Sequence, residues 1–150
     1  MKIATVYYSW VSKIENLKDI PLLATRLILA YGFYGPALAK WQDIDAIVEW
    51  FAGMGMPLPR LNAYMAASTE MLGVVLLTLG LGTRIISIPL IIVMLVAIKT
   101  VHGENGFNAS DNGYEIPLYY IIMLLTLFFV GPGRASLDKL IDSKLKKIVS

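Results

Sequence analysis

Residues 61–102 read LNAYMAASTEMLGVVLLTLGLGTRIISIPLIIVMLVAIKTVH, and the fold turns on this stretch. It holds two apolar runs, Leu61–Leu81 and Ile85–Val101, joined across Gly80-Leu81-Gly82-Thr83-Arg84. Each run is near the ~20 residues that a helix needs to cross ~30 Å of hydrocarbon. A turn this tight makes the two helices antiparallel neighbours. Outward from the pair, Pro21–Ala39 and Tyr114–Val130 are two further apolar runs. Pro89 and Pro117 fall within a turn or so of an expected helix start, where a missing N–H costs least. Runs this apolar leave no polar face to turn toward water, so the expected surroundings are lipid. The expectation is an all-α, four-helix transmembrane bundle forming a single domain over residues 1–150, with spans at about 21–39, 61–81, 85–101 and 114–130.

Composition agrees. The chain is 57% hydrophobic and 16% charged with a mean hydropathy of +0.64, against roughly 45–50% and about 25% in soluble domains. A net charge of +2 gives no ground for a nucleic-acid partner. Cysteine is absent, which excludes an internal disulfide, an iron–sulfur cluster and thiol chemistry. The single histidine, His102, excludes a bis-histidine haem or a multi-histidine metal site within the chain. No secretory signal is expected, because Lys2, Lys13, Glu15, Lys18 and Asp19 interrupt the first twenty residues.

Charge sets the expected orientation. With four spans, the N-terminus, the turn near Arg84 and the C-terminus share one side, which holds Lys2, Lys13, Lys18, Arg84, Arg134, Lys139, Lys144, Lys146 and Lys147. The other side has only Lys40 and Arg60 against Asp43, Asp45, Glu49, Glu104 and Asp111. The basic side faces the cytoplasm under the positive-inside rule, placing both termini there in a bacterial-type inner membrane. Three amphipathic helices are expected at the interface. Trp10, Ile14 and Leu17 mark one at the N-terminus. Ile44, Ile47, Val48 and Phe51, with Trp41 and Trp50 alongside, mark another in the first loop, either as an anchor or as a lid. The third begins at Ser136 and sets Leu137, Leu140, Ile141, Leu145 and Ile148 against a lysine-rich side, the pattern of a helix on an anionic membrane surface.

Six ionisable residues lie inside or at the edges of the spans: Arg26, Lys40, Glu70, Lys99, His102 and Glu115. A charge near mid-bilayer costs at least ~2.5–3.5 kcal/mol on insertion scales, so each needs a partner or a purpose. Glu70 shares a face with Ala63, Ala66, Ala67 and Gly73, which lets a neighbouring helix approach. Arg26 is its expected partner, at a vertical offset of roughly 9 Å counted from helix ends. Lys99 and His102 share a face of the third helix, and Glu115 opens the fourth on the same side. A Glu–His pair at the mouth of a bundle can relay protons or hold a polar head, with Arg26, Glu70, Lys99 and Lys40 as further ligand-binding candidates. The structural alternatives stay open: an Arg26–Glu70 pair that fixes helix register, snorkelling Lys40 and Lys99, and helix-capping by His102 and Glu115.

Several of these residues lie in motifs that resemble the DoxX family. Residues 70–84, EMLGVVLLTLGLGTR, are similar to its second helix and turn. MLVAIKTVH over residues 94–102, followed by Gly106-Phe107, resembles its third helix, while Tyr114-Glu115 and GPGRASLD over residues 131–138 resemble its fourth helix and tail. Arg26-Leu27, Gly35 and Lys40 resemble the first, although Tyr34 stands where family members often have a histidine before the glycine. The resemblance covers roughly residues 20–142. It implies a four-helix inner-membrane protein of the kind described as an oxidoreductase-like or quinone-associated subunit, the family being named after small subunits of a thiosulfate:quinone oxidoreductase, with Arg26, Glu70, His102 and Glu115 as its polar core. The expected function is a membrane subunit of an oxidoreductase system, with a quinone-like headgroup at His102 and Glu115 and a partner protein supplying electrons. Homo-oligomerisation is compatible with it. The alternative is a non-catalytic scaffold or transport-accessory protein linked to redox or metal stress. No metal site is expected.

Overall fold

The computed structural model describes residues 10, 11 and 17–149. Among them the chain is helical, without strands. Its helices are α1 (Asp19–Gln42), α2 (Ile44–Gly53), α3 (Pro59–Leu79), α4 (Thr83–Ala97), α5 (Glu115–Val130) and α6 (Leu137–Val149). A π turn over Ile98–His102 and a short 3-10 turn carry α4 on to Asn105, and a second 3-10 turn lies at Ala109–Asp111. Three helical segments are long and apolar enough to cross a membrane: Asp19–Gln42, Pro59–Leu79 and Thr83–Asn105. The fourth apolar helix, α5, has 16 residues. Ile14 and most of the N-terminal segment assigned above to an amphipathic helix lie outside the described residues.

Local chemistry explains the breaks. Pro59 opens α3 at a position where its missing N–H breaks no bond. Gly80 ends α3 at φ +65°, the left-handed region that glycine enters freely, and a Cβ there would overlap the Arg26 guanidinium. Asp43 caps α2 by accepting from the Ala46 N–H at 3.1 Å, and Ser136 Oγ accepts from the Lys139 N–H at 3.3 Å at the start of α6.

α1 packs along α3 and α4 along α5, contacts between α3 and α4 and between α1 and α5 join the pairs, and α2 lies against α3. Leu29, Phe33, Leu77, Leu90, Leu124 and Leu127 meet in the centre. Large apolar side chains also cover the outside, including Tyr31, Ile85 and Phe129, which are 84%, 77% and 72% exposed. In water each such residue would forgo ~1.5–3 kcal/mol of burial, whereas against lipid tails it forgoes almost nothing. This is the surface of a membrane protein.

Candidate functional site

Small residues let α1 and α3 approach. Ala63, Ala67, Glu70 and Gly73 form the buried face of α3, and Glu70 is only 2% exposed. Its carboxylate accepts from the Lys40 ammonium at 2.8 and 3.1 Å through its two oxygens. The expected Arg26–Glu70 pair is therefore corrected: Glu70 pairs with Lys40. Register is the reason. Arg26 sits level with Gly80, ten residues beyond Glu70 on α3 and thus roughly 15 Å from it along the axis at ~1.5 Å per residue. Lys40 lies fourteen residues further along antiparallel α1, about 21 Å from Arg26, which leaves ~6 Å for the lysine side chain to cover.

Arg26 does its work at the other end. Its guanidinium is wholly buried and donates to the Ala135 carbonyl, with Asp138 as opposing charge. Asp138 also accepts from the Gly82 and Thr83 N–H groups at 2.7 and 3.1 Å, at the first turn of α4. Asp19 accepts from the Arg134 backbone N–H at 2.8 Å and pairs with its side chain at 3.2 Å. Residues 131–138 are thus fastened across the ends of α1 and α3.

A cleft of about 230 Å³ lies where α1, α3, α5 and the end of α4 meet. Glu70 and Phe33, at 2% and 1% exposure, form its floor, and Met94 and Tyr120 give it apolar walls. His102 reaches it from the π turn, a widened helical turn that recurs at functional sites. The His102 Nδ1 is 2.8 Å from the Asn112 carbonyl, which can only accept, so Nδ1 carries the hydrogen and Nε2 is the ring's acceptor when neutral. Gly32 and Pro36 line the opposite wall. A Cβ on Gly32 would overlap the Tyr120 hydroxyl, so glycine lets that ring lie across α1, edge-on to Phe33 at 5.3 Å between centroids. Pro36 has no N–H, which deprives the Gly32 carbonyl of its usual helical donor.

Of the six singled-out residues, Glu70 and His102 line this cleft, and Lys40 stands behind Glu70. Glu115 is outside the lining. Its carboxylate accepts from the Ala109 N–H and the Tyr119 hydroxyl, each at 2.9 Å, and so holds the loop before α5. Lys99 is exposed on the π turn and also stands apart, as does Arg26. Tyr120, Gly32 and Pro36 are the functional candidates that sequence reasoning missed. A glycine four residues before a proline in an apolar helix is a legible sign of a freed carbonyl, and Tyr119-Tyr120 is the most polar step in α5.

A membrane protein with a partly polar cleft between its apolar helices is the class that fold and site define. The DoxX family model matches residues 21–103, and the chain belongs to that family. It is 34% identical over 120 residues to "Putative oxidoreductase CatD" of Bacillus subtilis, covering 80% of this chain and 86% of that protein. An uncharacterised Haemophilus influenzae protein is 35% identical over 130 residues, covering 81% of this chain and 83% of the relative. "Inner membrane protein YphA" of Escherichia coli is 26% identical over 132 residues, covering 81% and 91%. No solved structure matches.

Proposed function

We propose that this DoxX protein is a membrane subunit of an oxidoreductase system whose cleft holds the headgroup of a quinone or a similar lipophilic molecule. In this reading the chain is one domain in a bacterial-type inner membrane. It crosses four times through α1, α3, α4 and α5, with α2 and α6 at the interfaces and both termini cytoplasmic. The observation that carries the proposal is the convergence of His102 and buried Glu70 on one cleft with apolar walls. Reduction of a quinone to a quinol takes two electrons and two protons at its two oxygens. His102 suits proton exchange, since one ring nitrogen is held on the Asn112 carbonyl and the other is free to accept from a ligand. Glu70 offers a carboxylate acceptor whose charge Lys40 balances, and the Tyr120 hydroxyl offers a donor to a carbonyl oxygen. The electrons come from a partner protein, since the chain has no cysteine and one histidine. The printed name of the Bacillus subtilis relative supports an oxidoreductase association. Glu115 acts here by holding the loop that presents Asn112 to His102.

Decylubiquinone binding to the purified protein in lipid nanodiscs tests the reading. His102→Ala is expected to weaken binding at least tenfold, about 1.4 kcal/mol, with unchanged helical content by circular dichroism. Undiminished binding by His102→Ala rejects it. One observation favours a scaffold instead: Lys40 and Glu70 already satisfy each other without a ligand. Absence of quinone binding by the unaltered protein would put that alternative first.

A further inference from the structure

The cleft has two sides on which a ligand could enter, and they differ in chemistry. Toward the aqueous end, residues 103–113 form a cover closed by its own hydrogen bonds. Gly113 N–H donates to the Asn108 carbonyl at 2.9 Å, Tyr114 N–H to Gly106 at 3.1 Å and Glu115 N–H to Phe107 at 3.0 Å. The His102–Asn112 and Ala109–Glu115 bonds tie that cover to α4 and α5. The other side lies between α1 and α5, which touch far less than α1 does α3 or α4 does α5. On this side the exposed lining residues are Pro36 on α1 and Ile116 on α5, both apolar, whereas those on the cover are Ala109 and Asn112. Tyr119, one turn beyond Ile116 on α5, is exposed as well.

Size narrows the ligand. The cleft, at about 230 Å³, is smaller than the roughly 300–1,000 Å³ of pockets that enclose a drug-sized molecule. It can take a headgroup of one or two rings but not an attached long chain. Such a chain must leave through the apolar rim.

We infer that the cleft opens sideways into the bilayer between α1 and α5, with Pro36 and Ile116 at its mouth, and that its ligand is a ring headgroup whose long apolar chain stays in the lipid. This rests on the quinone-site reading and adds the route and the tail to it. Inside the cleft the Tyr120 hydroxyl donates to a ring oxygen, and His102 Nε2 and the Glu70 carboxylate accept from the ring hydroxyls of the reduced form, while the rim contacts only hydrocarbon.

The test compares two probes in nanodiscs: decylubiquinone, and the same ring without a tail, 2,3-dimethoxy-5-methyl-1,4-benzoquinone. The unaltered protein is expected to hold the decyl compound at least tenfold more tightly, after correction for partitioning into lipid. Ile116→Trp, which narrows the mouth where the chain leaves, is expected to weaken the decyl compound at least fivefold more than the tail-less ring. Ile92→Trp, on an exposed apolar face of α4 away from the cleft, is expected to change neither. Equal affinity for both probes, equal weakening of both by Ile116→Trp, or the same loss from Ile92→Trp overturns the lateral route while the headgroup site stands. Failure of the unaltered protein to bind either probe removes the headgroup site and the route together. If Ile116→Trp does not insert into membranes, Ile116→Phe carries the same comparison.

Discussion

Lys40 Nζ and Glu70 Oε2 meet at 2.8 Å, with side chains 16% and 3% exposed. Taking one partner away leaves the other charge desolvated and alone. Glu70→Gln or Lys40→Met should therefore lower stability by about 3 kcal/mol, whereas Lys40→Met with Glu70→Gln should cost less than the two single changes summed. A double-mutant cycle on denaturation in detergent measures it, and additive losses would show that the pair is not coupled. The need for a counter-charge at Glu70 was legible in the sequence because membrane burial demands one. Which cation supplies it was not. That choice depends on how far α1 slides along α3, and several residues of slide exchange Arg26 for Lys40 without altering either apolar pattern. Glu115 shows the same limit from the other side: spacing placed it close to His102, but the loop between them absorbs its carboxylate.

At the level of elements, the apolar runs translated into helices because their length and hydropathy leave few alternatives, and their ends moved by up to four residues. α1 extends from the expected 21–39 to Asp19–Gln42, and α3 from 61–81 to Pro59–Leu79. The π turn at the end of α4 was not legible, since its residues Ile98–His102 carry ordinary helical composition. The Asp138 carboxylate, placed against the first N–H groups of α4 by the 131–138 segment, is a cap supplied from 55 residues away. Asp138→Ala should lower stability by about 1–2 kcal/mol, with the earliest loss of amide-exchange protection around Gly82 and Thr83. On α6, a hydrogen bond from the Lys146 ammonium holds the Asp142 carboxyl below its ordinary range, with Lys139 adding to the effect. A depressed folded-state value means that the contribution is present above the usual aspartate range and is lost as pH falls through the lowered value. The Asp142 carboxyl should titrate below a free aspartate by NMR, and Lys146→Ala should raise its midpoint.

For the molecule as a whole, the proposed four-crossing topology puts the loop before α5 and the helix after it on opposite sides of the membrane. Cysteines placed at Ser110, between α4 and α5, and at Ser143, on α6, are expected to react with a membrane-impermeant maleimide from opposite faces of the membrane. Labelling from the same face would reject the four-crossing topology. α5 makes the case interesting, because its 16 residues reach about 24 Å, short of ~30 Å of hydrocarbon. A short crossing is accommodated by local thinning of the bilayer at a fraction of a kcal/mol per Å. Its two ends are also held by neighbours: Arg84 donates toward the Phe129 and Val130 carbonyls at 3.4 Å, and Glu115 fastens the preceding loop.

The reach of Arg26 to Ala135 spans 109 residues of chain. A ribosome adding about 5–20 residues per second takes roughly 5–20 s to make that much polypeptide. For that interval the first helix carries a guanidinium that has no carbonyl to meet. Only a nascent chain that runs past residue 138 can settle it.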